Sequence, residues 1–549
     1  MIDVDSLYGR RADNRWDRIS LGDVFERWAI HSPTALALVG EAGACSHADY
    51  ERVSYARADQ IAAQFANALV KGGLARGDRV FFLCGNSVES MIAKIGVAKA
   101  GGVVTAANPE QTVDVIQHAF DVTRPAFIVA DAEFADRLAV LPARPHKDIV
   151  IPIGGDVPPV AVGFREFHLG QPASDIDVRI HGDDIWEILF TSGTTAMPKA
   201  VMLSHTYGYL CALSWAMSYT RSLPHESFLK VVCFTPTTFH VGDQGYMMPA
   251  LFVGGTVIIG RRFDAPEITR AVAREKGTVV IGGGSSLLSQ LVTEFETAGP
   301  ESVESLTCIV YGPGPIKTDT RDRLKTISPG AYLLSVAAQT ECAGGHRFIG
   351  EAYPDVYNKA LSEAENVVGK PFPLLGARID RGDTEMSLGN VHIGELMYRS
   401  PVMMAGYYRD PAATEAAFEG GWFRSGDLAY ERDGGFRVLA GRMKEMIKTG
   451  GENVSCVRVE SVIQRHPSVD RLVVVGMPDE RWGEAVTAIV VLKSTEDPAS
   501  EADLIQFARG RLAGFETPKR VIFTDDLQVD FQGKISRSKI RERFLPRTS

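Results

Sequence analysis

The chain has 549 residues and a net charge of −10, and its 45% hydrophobic and 23% charged residues are ordinary values for a globular protein. This composition excludes a disordered, collagen-like or coiled-coil chain and, at roughly 150 residues per domain, predicts three to four domain-sized units. The acidic balance argues against a protein that grips nucleic acid by overall charge, so we expect no nucleic-acid partner.

The seven cysteines form no CxxC or Cys/His metal spacing, which favours reduced thiols in a cytoplasmic protein over a zinc site or disulfide framework. The N-terminus lacks the apolar core of a signal peptide. No apolar run reaches the ~18 residues of a membrane span, so we predict no integral membrane contact. Residues 1–18 are charged and aperiodic and are expected to form a flexible N-terminus.

From residue 19 onward, apolar runs of helical and strand period alternate. We predict helices over 21–32, 56–73 and 90–102, and strands over 79–84, 103–108, 126–131, 188–190 and 278–282. We expect this strand–helix alternation to continue to about residue 440. It indicates an α/β fold of mostly parallel sheets covered by helices.

The last hundred residues indicate a separate small α+β domain. The predicted helices span 454–466 and 501–513, and the predicted strands span 471–479 and 485–493. The polar, glycine-containing segment before them marks the boundary. We therefore predict an N-terminal domain over 19–440, a hinge over 441–448 and a C-terminal lid over 449–549. The basic tail from residue 534 is expected to be a solvated surface end.

The segment WEILFTSGTTAMPKAVMLSH (186–205) carries the strongest chemical signal. An apolar strand runs into small and hydroxylated residues followed by Lys199: Thr191, Ser192, Gly193, Thr194 and Thr195. Backbone N–H groups and hydroxyls around a glycine surround a phosphate, and a lysine adds positive charge. The P-loop spacing GxxxxGK[ST] is absent. Taken alone, the segment fits either a phosphate loop or a structural turn.

The segment closely resembles the TSGTTGxPKG signature of the adenylate-forming superfamily, which includes acyl-CoA synthetases, peptide-synthetase adenylation domains and luciferases. Further segments are similar to family motifs in the family order: KAGGVVTAANP (99–109), PTTFHVGDQG (236–245), QTE (339–341), GWFRSGDLA (421–429), GRMKEMIKTGGENV (441–454) and VDFQGKISR (529–537). The resemblance covers about residues 20–545.

This resemblance implies a large AMP-binding domain with a small mobile lid, in the acyl-CoA synthetase and fatty-acid–CoA ligase branch. It implies a two-step reaction in which a carboxylate and ATP give an acyl-adenylate and pyrophosphate, and the thiol of CoA then displaces AMP. The expected partners are therefore a small-molecule carboxylate and CoA, with ATP and Mg²⁺. We also allow for a homodimer.

The resemblance also assigns the ATP contacts. Loop 191–199 is assigned to the β- and γ-phosphates, and Glu341 to Mg²⁺, which favours carboxylate oxygens. Asp427 offers two acceptor oxygens to the vicinal hydroxyls of the ribose. The other implied contacts to ATP or AMP are Gly314, Pro315, Ala338, Gln339, Thr340 and Arg442.

Catalytic roles fall to Lys534, His240 and Glu341. The Lys534 ammonium would stabilise charge between the carboxylate and the α-phosphate, and His240 would stand beside the carboxylate. Lys444 corresponds to the hinge pivot, and the CoA tunnel is implied at Lys448, Gly450 and Gly451. The implied acyl pocket comprises Phe239, His240, Gly283, Gly284 and Ala337. Because these glycines and the alanine are small, we predict a roomy pocket for a bulky or long carboxylate.

Several ATP-facing positions depart from the family pattern. Ala196 and Ala200 replace glycines, Ala337-Ala338 replaces an aromatic–glycine pair whose ring stacks near adenine, and residues 312–315 read GPGP. An alanine held at positive φ would cost about 1 kcal/mol.

Three interpretations therefore stay open. The first is a two-step ligase. The second is a thioesterification specialist that takes its acyl-adenylate from an adenylating partner enzyme. The third is a non-catalytic binder of an acyl or nucleotide ligand. Another thiol or an amine also remains open as the acceptor.

Overall fold

The computed structural model describes residues 18–142, 148–191, 197–220, 229–312, 314, 316–363, 365–382, 386–388, 391–493, 498–527 and 535–545. The predicted flexible N-terminus lies outside these ranges except for residue 18. Three sheets of fifteen, eight and five strands are formed within the described residues. Every helix in this part of the chain is too short or too polar to traverse a bilayer.

The largest sheet combines a parallel half with an antiparallel half. Its strands are β1 Leu36–Gly40, β2 Arg52–Ser54, β10 Lys230–Cys233, β11 Thr256–Ile259, β12 Val279–Gly283, β13 Cys308–Tyr311, β14 Tyr332–Gln339, β15 Cys342–Ile349, β16 Asn366–Pro371, β17 Gly376–Asp380, β18 Met386–Leu388, β19 Val391–Arg399, β21 Phe418–Glu419, β22 Trp422–Arg432 and β23 Phe436–Arg442. They run in the order β17-β19-β22-β23-β16-β15-β14-β13-β12-β10-β11-β1-β2, and β18 and β21 pair beside this path.

The second sheet is mostly parallel and includes the strand that leads into the predicted phosphate loop. Its strands are β3 Arg79–Leu83, β4 Val103–Ala106, β5 Phe127–Asp131, β6 Ile149–Ile151, β7 Val162–Gly163, β8 Ile185–Phe190, β9 Ala200–Ser204 and β20 Gly406–Tyr407. Their order is β20-β9-β8-β4-β3-β5-β6-β7. The predicted strands from 79 to 190 are therefore all present.

Helices of this region cover both large sheets. They are α1 Val24–His31, α2 Tyr55–Lys71, α3 Val88–Lys99, α4 Val113–Thr123, α5 Ala135–Ala139, α6 Phe164–His168, α7 His205–Thr220, α8 Met248–Phe252, α9 Ala265–Glu275, α10 Ser285–Ala298, α11 Thr318–Ile327, α12 Pro354–Glu363 and α13 Pro411–Ala417. The three helices predicted first correspond to α1, α2 and α3. Helix α3 begins at a capping box between Ser87 and Ser90, and all of its residues are buried.

The predicted strand–helix alternation ends earlier than residue 440. From β14 onward the large sheet is antiparallel: β14 pairs with β15, and β22 pairs with both β19 and β23. Tight turns join these strands, with positive φ at Gly420, Gly421, Gly434 and Gly435. Adjacent glycines and Asp-Gly are sequence signals for β-hairpins. The prediction of continued strand–helix alternation did not take these signals into account.

The C-terminal region builds the third sheet around its own apolar core. It consists of β24 Ile447–Thr449, β25 Glu452–Val454, β26 Val469–Asp479, β27 Gly483–Leu492, β28 Arg520–Phe523, α14 Cys456–Ile463, α15 Glu501–Arg509 and α16 Arg537–Phe544. The four elements predicted here are present. The expected solvated tail is wrong for α16, since Ile540 is buried and Arg537 forms ion pairs with Glu445 and Glu460.

Candidate active site

The candidate site lies where parallel strands of the largest sheet end. Strands β10, β12, β13 and β14 are consecutive parallel neighbours, so their carboxyl ends share one edge. The predicted segments 237–240, 283–284 and 337–341, and residues 312 and 314, all lie at or just beyond these ends. The carboxyl edge of a parallel sheet is where ligands of α/β proteins commonly bind.

The predicted phosphate loop joins two antiparallel strands. Strand β8 ends at Phe190, which is in register with Ala200 of β9. The N–H of Thr191 donates to the Lys199 carbonyl at 3.0 Å, and the N–H of Lys199 donates to Thr191 Oγ1 at 3.1 Å. These two bonds close the base of the loop. The predicted contacts Ser192, Gly193, Thr194 and Thr195 lie outside the described residues.

Tyr407, which sequence reasoning missed, joins the phosphate loop to the predicted metal ligand. It lies in β20, opposite Val201 of β9. The Lys199 ammonium nitrogen lies 4.5 Å from the centroid of the Tyr407 ring, and the Tyr407 hydroxyl donates to Glu341 Oε1 at 3.0 Å. Burial raises the pKa of the Tyr407 phenol, so its hydroxyl keeps its proton. The predicted phosphate-loop lysine and the predicted Mg²⁺ ligand therefore both contact the side chain of Tyr407.

The turn that carries Thr340 and Glu341 connects antiparallel β14 and β15. The hydroxyl of Tyr207, in α7, donates to the Thr340 carbonyl at 3.2 Å. The N–H of Met404 donates to the Glu341 carbonyl at 2.8 Å. The turn is thus anchored on both sides, and Tyr207 is a second site residue that the sequence did not indicate.

Asp427 and Arg442 face each other across β22 and β23. Arg442 Nε lies 3.0 Å from Asp427 Oδ1, and Gln339 Nε2 donates to Asp427 Oδ2. Burial raises the pKa of the Asp427 carboxyl, and the Arg442 guanidinium opposes that shift. The predicted ribose acceptor is therefore oriented from two sides, and both partners were themselves predicted ATP contacts.

His240 lies immediately before a π-helical segment, Val241–Met247. Its side chain is buried, and Nε2 has no hydrogen-bond partner among the described atoms. Burial lowers the pKa of His240 to about 4, so the imidazole is neutral near pH 7. Its ring centroid lies 6.1 Å from that of Tyr207. A neutral ring with a free nitrogen suits a hydrogen bond to a polar substrate atom.

The backbone conformation explains some of the glycines near the predicted acyl pocket but not all of them. Gly283 has a φ of +70°, and Gly312 has a φ of +143°. The N–H of Gly312 donates to the Gly283 carbonyl at 3.0 Å, and a Cβ on Gly312 would clash with the Val336 carbonyl oxygen. Backbone geometry therefore requires both glycines. Gly284, with a φ of −70°, precedes α10 and is free of that constraint.

The other predicted residues at this edge are half-buried. They are Phe239, Gly314, Ala337, Ala338, Gln339 and Thr340. Pro315 lies outside the described residues.

The prediction that alanine in place of glycine strains the backbone is wrong at Ala200 and Ala338. Positive φ at non-glycine residues is confined, within the described chain, to Arg124, Lys276, Leu374 and Arg409. Ala200 is the first residue of β9, and Ala338 lies within β14. Both therefore adopt extended conformations that alanine tolerates. Ala196 lies outside the described residues.

Predicted hinge and thiol-tunnel residues lie at the start of the third sheet. Lys444 is in the helical turn Met443–Glu445, and the N–H of Lys448, in β24, donates to Glu484 Oε2 at 2.9 Å. Gly450 and Gly451 have φ of +59° and +89° and make the two-residue turn between β24 and β25. Lys534 lies outside the described residues.

Two family models match the chain. The model "AMP-binding enzyme" matches residues 25–408, and the model "AMP-binding enzyme C-terminal domain" matches residues 458–534. Among curated proteins, the chain is 29% identical to the long-chain-fatty-acid–CoA ligase FadD13 of Mycobacterium tuberculosis, over 90% of this chain and 93% of that protein. It is 28% identical to a feruloyl-CoA synthase of Amycolatopsis sp, over 90% and 94% of the two chains.

Among solved structures, ATP-bound MatB from Rhodopseudomonas palustris matches with a TM-score of 0.81 and 27% identity, over 95% of this chain and 99% of that chain. The first family model spans more than half of the chain, and the structural match extends over both regions. The chain therefore belongs to the AMP-binding enzyme family, within the adenylate-forming superfamily to which the acid–thiol ligases belong.

Proposed function

We propose that this protein is an acyl-CoA ligase that activates a carboxylic acid as its acyl-adenylate and transfers the acyl group to CoA. The observation that carries the proposal is the contact chain Lys199–Tyr407–Glu341. It brings a cation beside the phosphate loop of the second sheet close to a carboxylate suited to Mg²⁺ at the β14–β15 turn of the largest sheet. The relatives named as CoA ligases support the same activity.

In the first step, a carboxylate oxygen of the acid attacks the α-phosphorus of ATP, and the bond to the bridging oxygen of pyrophosphate breaks. Lys199 and Lys534 would neutralise phosphate charge as it shifts onto the leaving group. Asp427 would accept hydrogen bonds from the ribose and so fix the nucleotide, with Arg442 beside it. His240 would orient the acid through its neutral ring.

In the second step, the sulfur of CoA attacks the acyl carbonyl, and the bond between acyl carbon and phosphate oxygen breaks to release AMP. The hairpin at Gly450 and Gly451 would line the approach of the thiol, since two glycines present backbone without side chains. Lys444 would be the pivot about which the C-terminal region turns between the steps. Both assignments are inferred from the resemblance.

Magnesium fits the residues at Glu341. Oε1 of this carboxylate accepts the Tyr407 hydroxyl, which leaves Oε2 for a hard cation with oxygen ligands. When bound, Mg²⁺ would neutralise charge on the phosphates. The protein's own contribution is to hold Glu341 in place through Tyr407 and through the Met404 N–H bond to its carbonyl.

We further infer that the acid is bulky or long. Gly284 and Ala337 place little side-chain volume at the sheet edge where the His240 segment lies, and Gly284 lacks the backbone constraint that explains Gly283. Relatives named for long-chain fatty acids, ferulate and 2-succinylbenzoate support the same inference.

The decisive experiment measures the two half-reactions separately. Pyrophosphate exchange is assayed with hexadecanoate, ferulate, 2-succinylbenzoate and 4-hydroxybutyrate, and mass spectrometry follows CoA products from the corresponding synthetic acyl-adenylates. Exchange with a free acid followed by CoA-thioester formation supports the ligase and excludes the thioesterification specialist. Thioester formation without exchange supports that specialist. AMP binding with neither half-reaction would indicate a non-catalytic binder.

A further inference from the structure

A single buried lysine joins the two segments that must hold the acid and the phosphates. Lys94, in α3, has its ammonium nitrogen 2.6 Å from Asp243 Oδ2 and 3.1 Å from Glu187 Oε1. It also donates to the Thr237 carbonyl at 2.7 Å. Asp243 follows His240 in the π-helical segment, and Glu187 lies in β8, just ahead of the phosphate loop.

All members of this cluster are removed from solvent. Lys94 is 1% exposed, while Glu187, Asp243 and Gln244 are 0% exposed. Two carboxylates and one ammonium carry a net negative charge unless one carboxyl holds a proton, and an unbalanced buried charge is strongly unfavourable. Burial raises the pKa of Glu187 well above its ordinary range, and the neighbouring Asp243 charge adds to the rise. Both effects favour the protonated form of Glu187, which would leave the cluster neutral.

The cluster is anchored to a rigid base. Helix α3 is buried along its whole length. Just before it, Asn86 donates to the Thr235 carbonyl at 2.9 Å and accepts the Thr237 N–H at 2.9 Å. On the other side, Gln244 Nε2 donates to Glu187 Oε2 at 2.6 Å. The segment 235–244 is thus tied both to α3 and to the strand that enters the phosphate loop.

We propose that Lys94 and Asp243 are positioning residues for adenylation, which set the separation between the His240 segment and the phosphate loop. This inference rests on the proposed function. In-line attack requires the reacting atoms to be held near their reactive geometry, and a displacement of about 1 Å costs roughly 100-fold in rate. Loss of the cluster should therefore slow adenylation. It should leave AMP affinity intact, because the pairing of β22 with β23 holds Asp427 and Arg442, whereas the hydrogen bonds of the cluster run to α3, β8 and the segment 237–244.

The chain offers a matched control on the same helix. Lys99 is 2% exposed, and its ammonium nitrogen lies 2.9 Å from Asp59 Oδ1 and 3.0 Å from Asp175 Oδ1. These contacts join α3 to α2 and to the segment before β8, away from both motif segments. Lys99→Met therefore removes a comparable buried ion pair without touching the His240 segment.

The test compares Lys94→Met, Asp243→Asn and Lys99→Met with the wild type. Pyrophosphate exchange is measured with the panel acid that the wild type activates fastest, AMP affinity by calorimetry, and the folded fraction by thermal unfolding. Per folded molecule, we expect Lys94→Met and Asp243→Asn to lose about 10- to 100-fold in exchange rate, with AMP affinity within about twofold. Lys99→Met should stay within about threefold of the wild type.

Contrary results are distinguishable. If Lys94→Met matches Lys99→Met in exchange per folded molecule, the cluster is only structural and the inference is overturned. If Lys94→Met does not fold, the comparison of Asp243→Asn with Lys99→Met decides, because equal exchange rates per folded molecule in these two would overturn the inference. If the wild type itself shows no exchange with any panel acid, the proposed function fails first, and this inference falls with it.

Discussion

Tyr407→Phe tests the link between Lys199 of the predicted phosphate loop and Glu341, the proposed Mg²⁺ ligand. The substitution removes the hydroxyl that donates to Glu341 Oε1 at 3.0 Å and keeps the ring against the Lys199 ammonium. A hydrogen bond to a charged group contributes about 1.5–3 kcal/mol. At about 1.4 kcal/mol per factor of ten, the expected loss in adenylation kcat/KM for ATP is therefore roughly 10- to 100-fold. Tyr407→Leu should lose more, because it also removes the ring.

The assay follows pyrophosphate exchange over ATP and Mg²⁺ titrations, beside thioester formation from a synthetic acyl-adenylate. The second reaction uses neither the β- and γ-phosphates nor their cation, so Tyr407→Phe should leave it unchanged. Tyr408→Phe is the matched control, since Tyr408 directly follows β20 and packs against the apolar cluster of Val103, Ile188 and Ala200. Exchange within about twofold of wild type, or an equal loss in both half-reactions, would refute the reasoning.

Three further predictions concern nucleotide binding, stability and the acid. Asp427→Asn unpairs Arg442 and weakens one ribose acceptor, so AMP affinity should fall by about tenfold by calorimetry; unchanged affinity would contradict the assigned role. Burial raises the pKa of Glu89 from 4.5 to about 7, although a bond from the Ser46 N–H opposes the shift. Stability should therefore fall as pH rises from about 4.5 to 7, and Glu89→Gln should raise the free energy of unfolding by up to about 3 kcal/mol at pH 8 but little at pH 4. Urea unfolding at several pH values checks this, and a pH-independent difference between variant and wild type argues against it. Gly284→Leu should shift preference toward smaller acids, and an unchanged acid panel would count against the pocket.

Local sequence signals predicted the parallel part of the fold well. The apolar run at 79–84 became β3, and the helical period at 90–102 became α3, which begins two residues earlier at Val88. Parallel strands place their following loops at one edge by geometry alone. Motif segments located on those loops could therefore be expected to meet, and in the structure they lie at that edge.

Contacts between side chains of distant segments could not be predicted from the sequence. Tyr407 meets Lys199 only because β20 adds to the edge of β9, a pairing across about two hundred residues with no local signal. Lys94 reads in the sequence as one more helical lysine, and only the sheet behind it shows that it is buried. Such partners depend on tertiary packing, whereas motif spacing depends on the chain alone.

The alanines that replace family residues at the ATP-facing positions could weaken adenylation, thioester formation or both. Ala200 and Ala338 lie in regular strands, so they add a methyl group without backbone strain. Ala337 is paired with His346, and a Cβ on the neighbouring Gly345 would clash with the Ala337 carbonyl. The strand pair is thus closely packed where the family's aromatic ring would begin, and its absence removes stacking area alone. ATP and the acyl-adenylate both carry adenine, so this loss weakens their binding equally and raises KM in both steps. Selective loss of adenylation would instead require a change that weakens only the contacts to the β- and γ-phosphates. The chain keeps Lys199 and Glu341, the two residues proposed for those contacts.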